Sequence, residues 1–265
     1  MKKYTLISCL IFVSLVTFAQ TEKVITDRPG KTLSPITVPK KWIQFESELS
    51  KQKDKLKEIG ITDIYFRHPS LLTKFGLGKR LELRLITELA TLKVKYTFDP
   101  PYIRTGIKTV QLGGKLNFLK EKGIRPEVSL IAHYDFHRLR TIYAGKDTLD
   151  GGNFRLAMQH TLSEKVEVGY NIGMEWEYFR YFKTAYTYTL SPKFTINEKW
   201  LAYIELFGYI WKKEKPENSI DAGFAYFIND NFKLDASAGF GINKKAPDNF
   251  FSIGASFRFK TNRSN

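Results

Sequence analysis

The sequence predicts an all-β protein, a transmembrane antiparallel β-barrel of about 12 strands with both termini periplasmic. Three observations predict it. Apolar and polar residues alternate with period two through most of the chain after residue 41, the pattern of strands with one greasy and one polar face. The chain carries 21 Phe and 14 Tyr, yet has no apolar run long enough for a spanning helix. The first 20 residues have the layout of an export signal. A barrel wall dilutes its lipid-facing residues with lumen-facing ones, so mean hydropathy stays at −0.30.

Residues 1–19 are expected to be a secretory signal peptide. Lys2 and Lys3 precede a mostly apolar run, and Thr17-Phe18-Ala19 offers small residues before the cut. Cys9 is the single cysteine and would leave with the signal; too little apolar sequence precedes it for a lipid-anchor site. Without it there is no disulfide and no thiol chemistry. Residues 20–41 have no alternation and hold three prolines, Pro29, Pro35 and Pro39, so they read as a periplasmic lead-in or a plug-like segment.

The barrel is expected over 42–259. Ile43, Phe45 and Leu49 oppose Gln44, Glu46 and Glu48, and a lysine-rich loop follows at 50–62. The second strand, 63–75, contains Pro69, which a ladder tolerates at a bulge. The third is the clearest, with Leu81, Leu83, Leu85 and Leu89 against Arg80, Glu82, Arg84 and Glu88. Strands follow at 106–118, 126–137, 153–162, 166–178, 184–194 and 199–211, then two more around Phe224 and Leu234. The closing strand sets Phe251, Ile253, Ala255, Phe257 and Phe259 against Ser252, Gly254, Ser256 and Arg258, and should pair with the first strand around Ile43 and Phe45. A hydrophilic tail, 260–265, follows. Connections alternate between short turns and longer loops, as outer-membrane barrels do.

The formal charge is +15, which calls for an anionic partner or surface; export argues against nucleic acid. Sorting by face places Glu46, Arg80, Glu82, Arg84, Lys115, Glu127, His133, Asp135, Arg155, Glu175, Glu205, Asp221, Asp235 and Arg258 on the lumen side as a candidate solute path. Acids outnumber bases there, so a net-negative lumen is expected. The positive excess falls on a basic outer rim of Lys51, Lys53, Lys55, Lys57, Lys212, Lys213, Lys244 and Lys245, suited to lipopolysaccharide phosphates.

Several stretches resemble one family. They are Thr26-Asp27-Arg28-Pro29, Thr37-Val38-Pro39-Lys40 with Trp42-Ile43-Gln44-Phe45-Glu46, and Phe75-Gly76-Leu77 with Arg80-Leu81-Glu82-Leu83-Arg84. Gly114-Lys115 and the ending Gly254-Ala255-Ser256-Phe257-Arg258-Phe259 complete the set. The chain is similar in these to the outer-membrane transporter family labelled "MetA-pathway of phenol degradation". The resemblance implies an outer-membrane barrel of a Gram-negative bacterium that takes up small, hydrophobic or aromatic compounds. The barrel-assembly machinery and a small-molecule solute are the expected partners. The family's usual aromatic end is displaced inward here, because Phe259 precedes the tail.

Other chemistry is weighed against simple lumen polarity. His133, Asp135 and His137 share one face, but a strand spreads alternate residues along its length, which suits a metal poorly. Ser129 and His133 also share a face, but a membrane hydrolase needs its pair turned toward lipid. His160 reads as an interfacial residue. No enzyme, cofactor or metal is expected. The main alternative to a solute channel is a closed structural barrel acting through basic loops; an outer-membrane hydrolase is more remote.

Overall fold

The computed structural model describes residues 23–56, 59–142, 148–179, 181–212 and 214–261. The expected signal peptide lies outside these. Period-two sequence becomes twelve antiparallel strands: β1 (Trp42–Leu56), β2 (Ile61–Gly76), β3 (Leu81–Tyr96), β4 (Tyr102–Leu119), β5 (Glu127–Asp135), β6 (Thr148–Ser163), β7 (Val166–Phe179), β8 (Tyr181–Thr195), β9 (Trp200–Trp211), β10 (Glu217–Asn229), β11 (Phe232–Gly241) and β12 (Asn249–Lys260). Each strand pairs with its sequence neighbours, and β1 pairs with β12 to close the barrel. Closure leaves no strand edge unpaired where water is absent. Ile43 faces Phe259 and Phe45 faces Phe257 across that seam. The Phe45 and Phe257 rings stack at 5.1 Å. Because Trp42 pairs with Lys260, the ends of the barrel chain lie together at what we call the terminal end.

The outward face is a belt of apolar side chains open to the surroundings, among them Leu81, Leu83, Leu85, Leu112, Ile172, Ile204, Ile253 and Phe257. The inward face is polar, and its charged side chains are buried, as the interior of a narrow outer-membrane barrel requires.

The structure corrects several sequence boundaries. The expected loop at 50–62 is mostly strand: β1 runs on to Leu56 and β2 begins at Ile61. The connection before the strand expected at 106–118 is also short, since β3 runs to Tyr96 and β4 starts at Tyr102. Alternation of Lys51, Lys53 and Lys55 is itself period-two, so the ladder continues above the apolar belt, where water accepts outward lysines. β5 ends at Asp135, and His137 falls in a 3-10 turn, His137–Leu139. Pro69 does sit at a bulge: His68 and Pro69 together face Leu49 on one side and Leu89 on the other. A second bulge, at Lys108, lies between β3 and β4.

Candidate functional site

Residues 23–41 do not trail from the barrel; they run inside it. The segment enters at the terminal end, where Val24 N donates to Asp230 O at 2.7 Å. It leaves there too, where Lys41 N donates to Gly76 O at 2.9 Å. Its tip, at Gly30 and Lys31, reaches the middle of the lumen. Gly30 has φ 91°, and a Cβ there would approach Glu205 Oε2 to 2.9 Å, so the turn needs glycine.

A segment without regular structure must have its backbone groups satisfied by something else. The inward side chains do this. Glu205 accepts from Lys31 N at 2.6 Å and Thr32 N at 2.5 Å. Asn171 accepts from Leu33 N at 2.7 Å and donates to Leu33 O at 3.0 Å, copying the pairing of a neighbouring strand. Glu82 accepts from Val38 N at 2.7 Å, and Lys115 donates to Ile36 O at 3.1 Å. Gln44 donates to Ile25 O at 2.8 Å, and Lys233 to Arg28 O at 2.6 Å. The wall also leaves room: Cβ atoms at Gly169 and Gly254 would approach Thr32 Cγ2 to 2.9 Å and Arg28 Nε to 2.5 Å.

Two charges of the segment order the lumen electrostatics. Asp27 lies 2.7 Å from Lys74 Nζ, 2.7 Å from Arg84 Nη2 and 3.4 Å from Lys115 Nζ. Burial pushes its carboxyl up, but Lys115, Lys74 and Arg84 together hold it well below the usual carboxylate range. Arg28 bridges Glu48 of β1 and Asp235 of β11, the latter at 2.8 Å. Each charge taken from water is thus paired, the condition under which burial is tolerated.

The segment divides the lumen. Toward the far end lies a cavity of about 240 Å³ floored by Arg28, Gly30 and Lys31 and walled by Tyr65, Arg67, Lys108, Phe207, Tyr209 and Asp221. Toward the terminal end lies another of about 230 Å³, beside Thr26, Pro29, Lys193 and Lys233. Arg28 lines both, so it stands at the boundary between them.

A family model described as "Putative MetA-pathway of phenol degradation" matches residues 26–259. The chain belongs to this family. The match begins at Thr26, so this phenol-degradation-pathway model takes in the inserted segment as well as the wall. Among solved structures, the COG4313 outer membrane channel from Pseudomonas putida F1 is similar at 12% identity and TM-score 0.65, over 88% of this chain and 99% of that one. The beta domain of the Bordetella autotransporter BrkA is similar at 12% identity and TM-score 0.53, over 83% and 99%. The translocator domain of the autotransporter NalP from Neisseria meningitidis is similar at 8% identity and TM-score 0.52, over 82% and 88%. No curated protein matches. These likenesses share the fold, and the chain is an outer-membrane β-barrel of the Gram-negative type.

In this family member Glu46, Glu82, Arg84, Lys115, His133, Asp135, Glu205, Asp221, Asp235 and Arg258 are buried and face inward. Glu127, Arg155 and Glu175 face inward but are only half-buried. Arg80 is the exception: it is exposed in the turn before β3, whose first residue is Leu81. Sequence alternation also misses lumen cations. Arg67 pairs with Glu48 at 2.8 Å and Glu88 at 3.2 Å, and Lys74 with Glu46. Lys108 stands 3.6 Å from Glu88. Simple alternation carries Lys108 outside; the bulge at that residue turns it in. With Arg28, Lys31, Arg67, Lys74 and Lys108 added, Asp27 counted and Arg80 removed, the expected negative excess shrinks but keeps its sign.

Ser129 and His133 do not pair. Ser129 Oγ donates to Pro35 O, while His133 accepts from Arg84 Nε at 3.1 Å and its Nδ1 meets Asn153 Oδ1 at 2.9 Å. His137 Nε2 lies 3.4 Å from Asp135 Oδ2.

The basic rim is also re-placed. Lys51, Lys53 and Lys55 are not in a loop but on the outward face of β1, as are Lys93 and Lys95 on β3. Ile64 pairs with Lys53 on one side and Lys93 on the other; Thr62 pairs with Lys55 and Lys95. Ile64, though outward, is only 8% exposed, as expected if lysine stems cover it. Lys212, Lys244 and Lys245 are exposed in far-end connections, and Lys57 and Lys213 lie outside the described residues.

Proposed function

We propose that this protein is a solute channel whose resting state is closed by its own residues 23–41, with Arg28 as the latch between the two lumen cavities. The observation that carries the reading is the way the segment is held. Side chains of β1 through β9, and of β11 and β12, bond to it around the circumference, while Arg28 of the segment borders both cavities. A purely structural barrel would have no need of a glycine-cleared seat for a removable segment. The far end faces outside and the terminal end the periplasm, as the distribution of short turns in such barrels favours. The family's description supports small, hydrophobic or aromatic solutes as the cargo. No catalytic role is assigned.

The test is uptake by proteoliposomes. The intact chain should pass small sugars slowly, and a chain lacking residues 23–40 should pass them readily. Equal, negligible uptake by both, with both folded, would instead favour the structural reading.

We also propose that the lysine face of β1 and β3 rests against lipopolysaccharide phosphates. Its five ammonium groups stand directly above an aliphatic belt that includes Leu49, Leu85 and Leu89, the place where anionic headgroups sit. Replacing Lys51, Lys53, Lys55, Lys93 and Lys95 by Gln should lower the salt needed to strip lipopolysaccharide from the purified barrel. Retention equal to the unaltered protein would end this assignment.

A further inference from the structure

The far-end cavity has more chemical definition than a general pore requires. Besides Lys51, whose strand position faces outward, four cations line it: Arg28, Lys31, Arg67 and Lys108. Arg28 is held by Glu48 and Asp235, and Arg67 by Glu48 and Glu88. Lys108 stands near Glu88 and over the Tyr65 ring at 4.3 Å. Lys31 makes no ion pair among the described residues. Its backbone is anchored by Glu205, and the residue lines the cavity.

Across the cavity the wall has the opposite character. Asp221 of β10 accepts from Tyr203 Oη at 3.1 Å through one oxygen, and its other oxygen is buried without a donor. Aromatic rings stand around the space: Tyr65 on β2, Tyr209 and Phe207 on β9, and Phe250 on β12, which meets Phe207 edge-on at 5.8 Å. A cavity of roughly 150 Å³ holds a benzene ring. The 240 Å³ here therefore takes one ring with a polar group.

We infer that the cavity above the segment is a binding site for a small aromatic carboxylate, with Lys31 meeting the carboxylate and the surrounding rings packing on the solute's ring. The inference rests on the channel reading for its biological meaning, but its own content is a binding preference. Lys31 lies on the segment that closes the lumen, so an occupied site joins the solute to the gate itself.

The test uses the full-length protein in detergent, with 4-hydroxybenzoate as the probe and equilibrium dialysis as the readout. 4-Hydroxybenzyl alcohol removes the carboxylate charge, and acetate removes the ring. Binding of 4-hydroxybenzoate should be at least about ten-fold tighter than either, the factor expected of a charge-assisted contact and a buried ring. Lys31→Gln should weaken it about ten-fold, Lys31→Arg should restore most of it, and Lys165→Gln, in a terminal-end turn, should leave it unchanged. Heat-modifiable migration in gels verifies that each variant is folded. The inference is overturned if the alcohol binds as tightly as the acid, or if folded Lys31→Gln binds as tightly as the unaltered protein. Liposome uptake is scored separately: binding without passage at any segment variant defeats the channel reading alone, and passage without the binding preference defeats this inference alone.

Discussion

Truncation of Arg28 to alanine is the most direct probe of the latch. The guanidinium lies between Glu48 and Asp235, with Ser252 Oγ at 3.3 Å from Nη2. Removing it does two things. It deletes a side chain at the boundary between the two cavities. It also leaves Asp235 without that ion pair, whereas Glu48 keeps Arg67. Breaking a buried pair from one side costs about 3–5 kcal/mol. Taking the low end, about 3 kcal/mol, and assigning it to the seated state shifts the closed-to-open ratio by roughly a hundred-fold. A channel that opens rarely should then be open for much of the record. Single-channel current in planar bilayers is the assay, with heat-modifiable gel migration verifying the fold. Arg28→Lys should be intermediate, because an ammonium cannot bridge two carboxylates as a planar fork does. Current from folded Arg28→Ala identical to the unaltered protein would refute both the latch and the energy assigned to it.

Further outcomes follow from the same seat. Asn171→Leu removes both bonds to Leu33, roughly 1 kcal/mol each, so open events should become about ten-fold or more frequent in the same recordings. Gly254→Val places atoms where Arg28 Nε lies and should raise conductance without changing barrel migration; unchanged conductance would mean that the seat yields at no cost. Asp27→Asn should also raise open probability, since Lys74, Arg84 and Lys115 lose a shared carboxylate. The acid dependence has a defined sign. Asp27 titrates in the seated state below its ordinary value of 3.8, so its contribution is full above that value and is lost as pH falls through the depressed one. Unaltered and Asp27→Asn channels should therefore differ at pH 6 and converge in strong acid.

Much of the wall was legible because alternation is a local signal. Leu81, Leu83 and Leu85 against Glu82 and Arg84 specify a strand and its two faces without reference to any other residue. The same logic places Phe45 and Phe257 outward and sets the closing strand beside the first around Ile43 and Phe45, as found. Alternation fails where a bulge changes its phase, which hides Arg67 and Lys74 on either side of Pro69 and Lys108 on β4; it also fails past a strand's end, where Arg80 keeps the inward phase but sits in a turn. Pro69 was the one visible warning, since proline cannot donate to the ladder.

The sequence alone determined the barrel: strand number, closing pair, lipid face and the inward placement of most lumen charges. Each depends on spacing within a few residues. Only the tertiary structure decided where residues 23–41 go. They have no periodicity to read, and the groups that hold them are remote. Asp27 meets Arg84 57 positions away and Lys115 88 positions away, while Arg28 meets Asp235 207 positions away. A backbone without a ladder of its own settles where other side chains complete its hydrogen bonds, and only the closed barrel brings those side chains to one place.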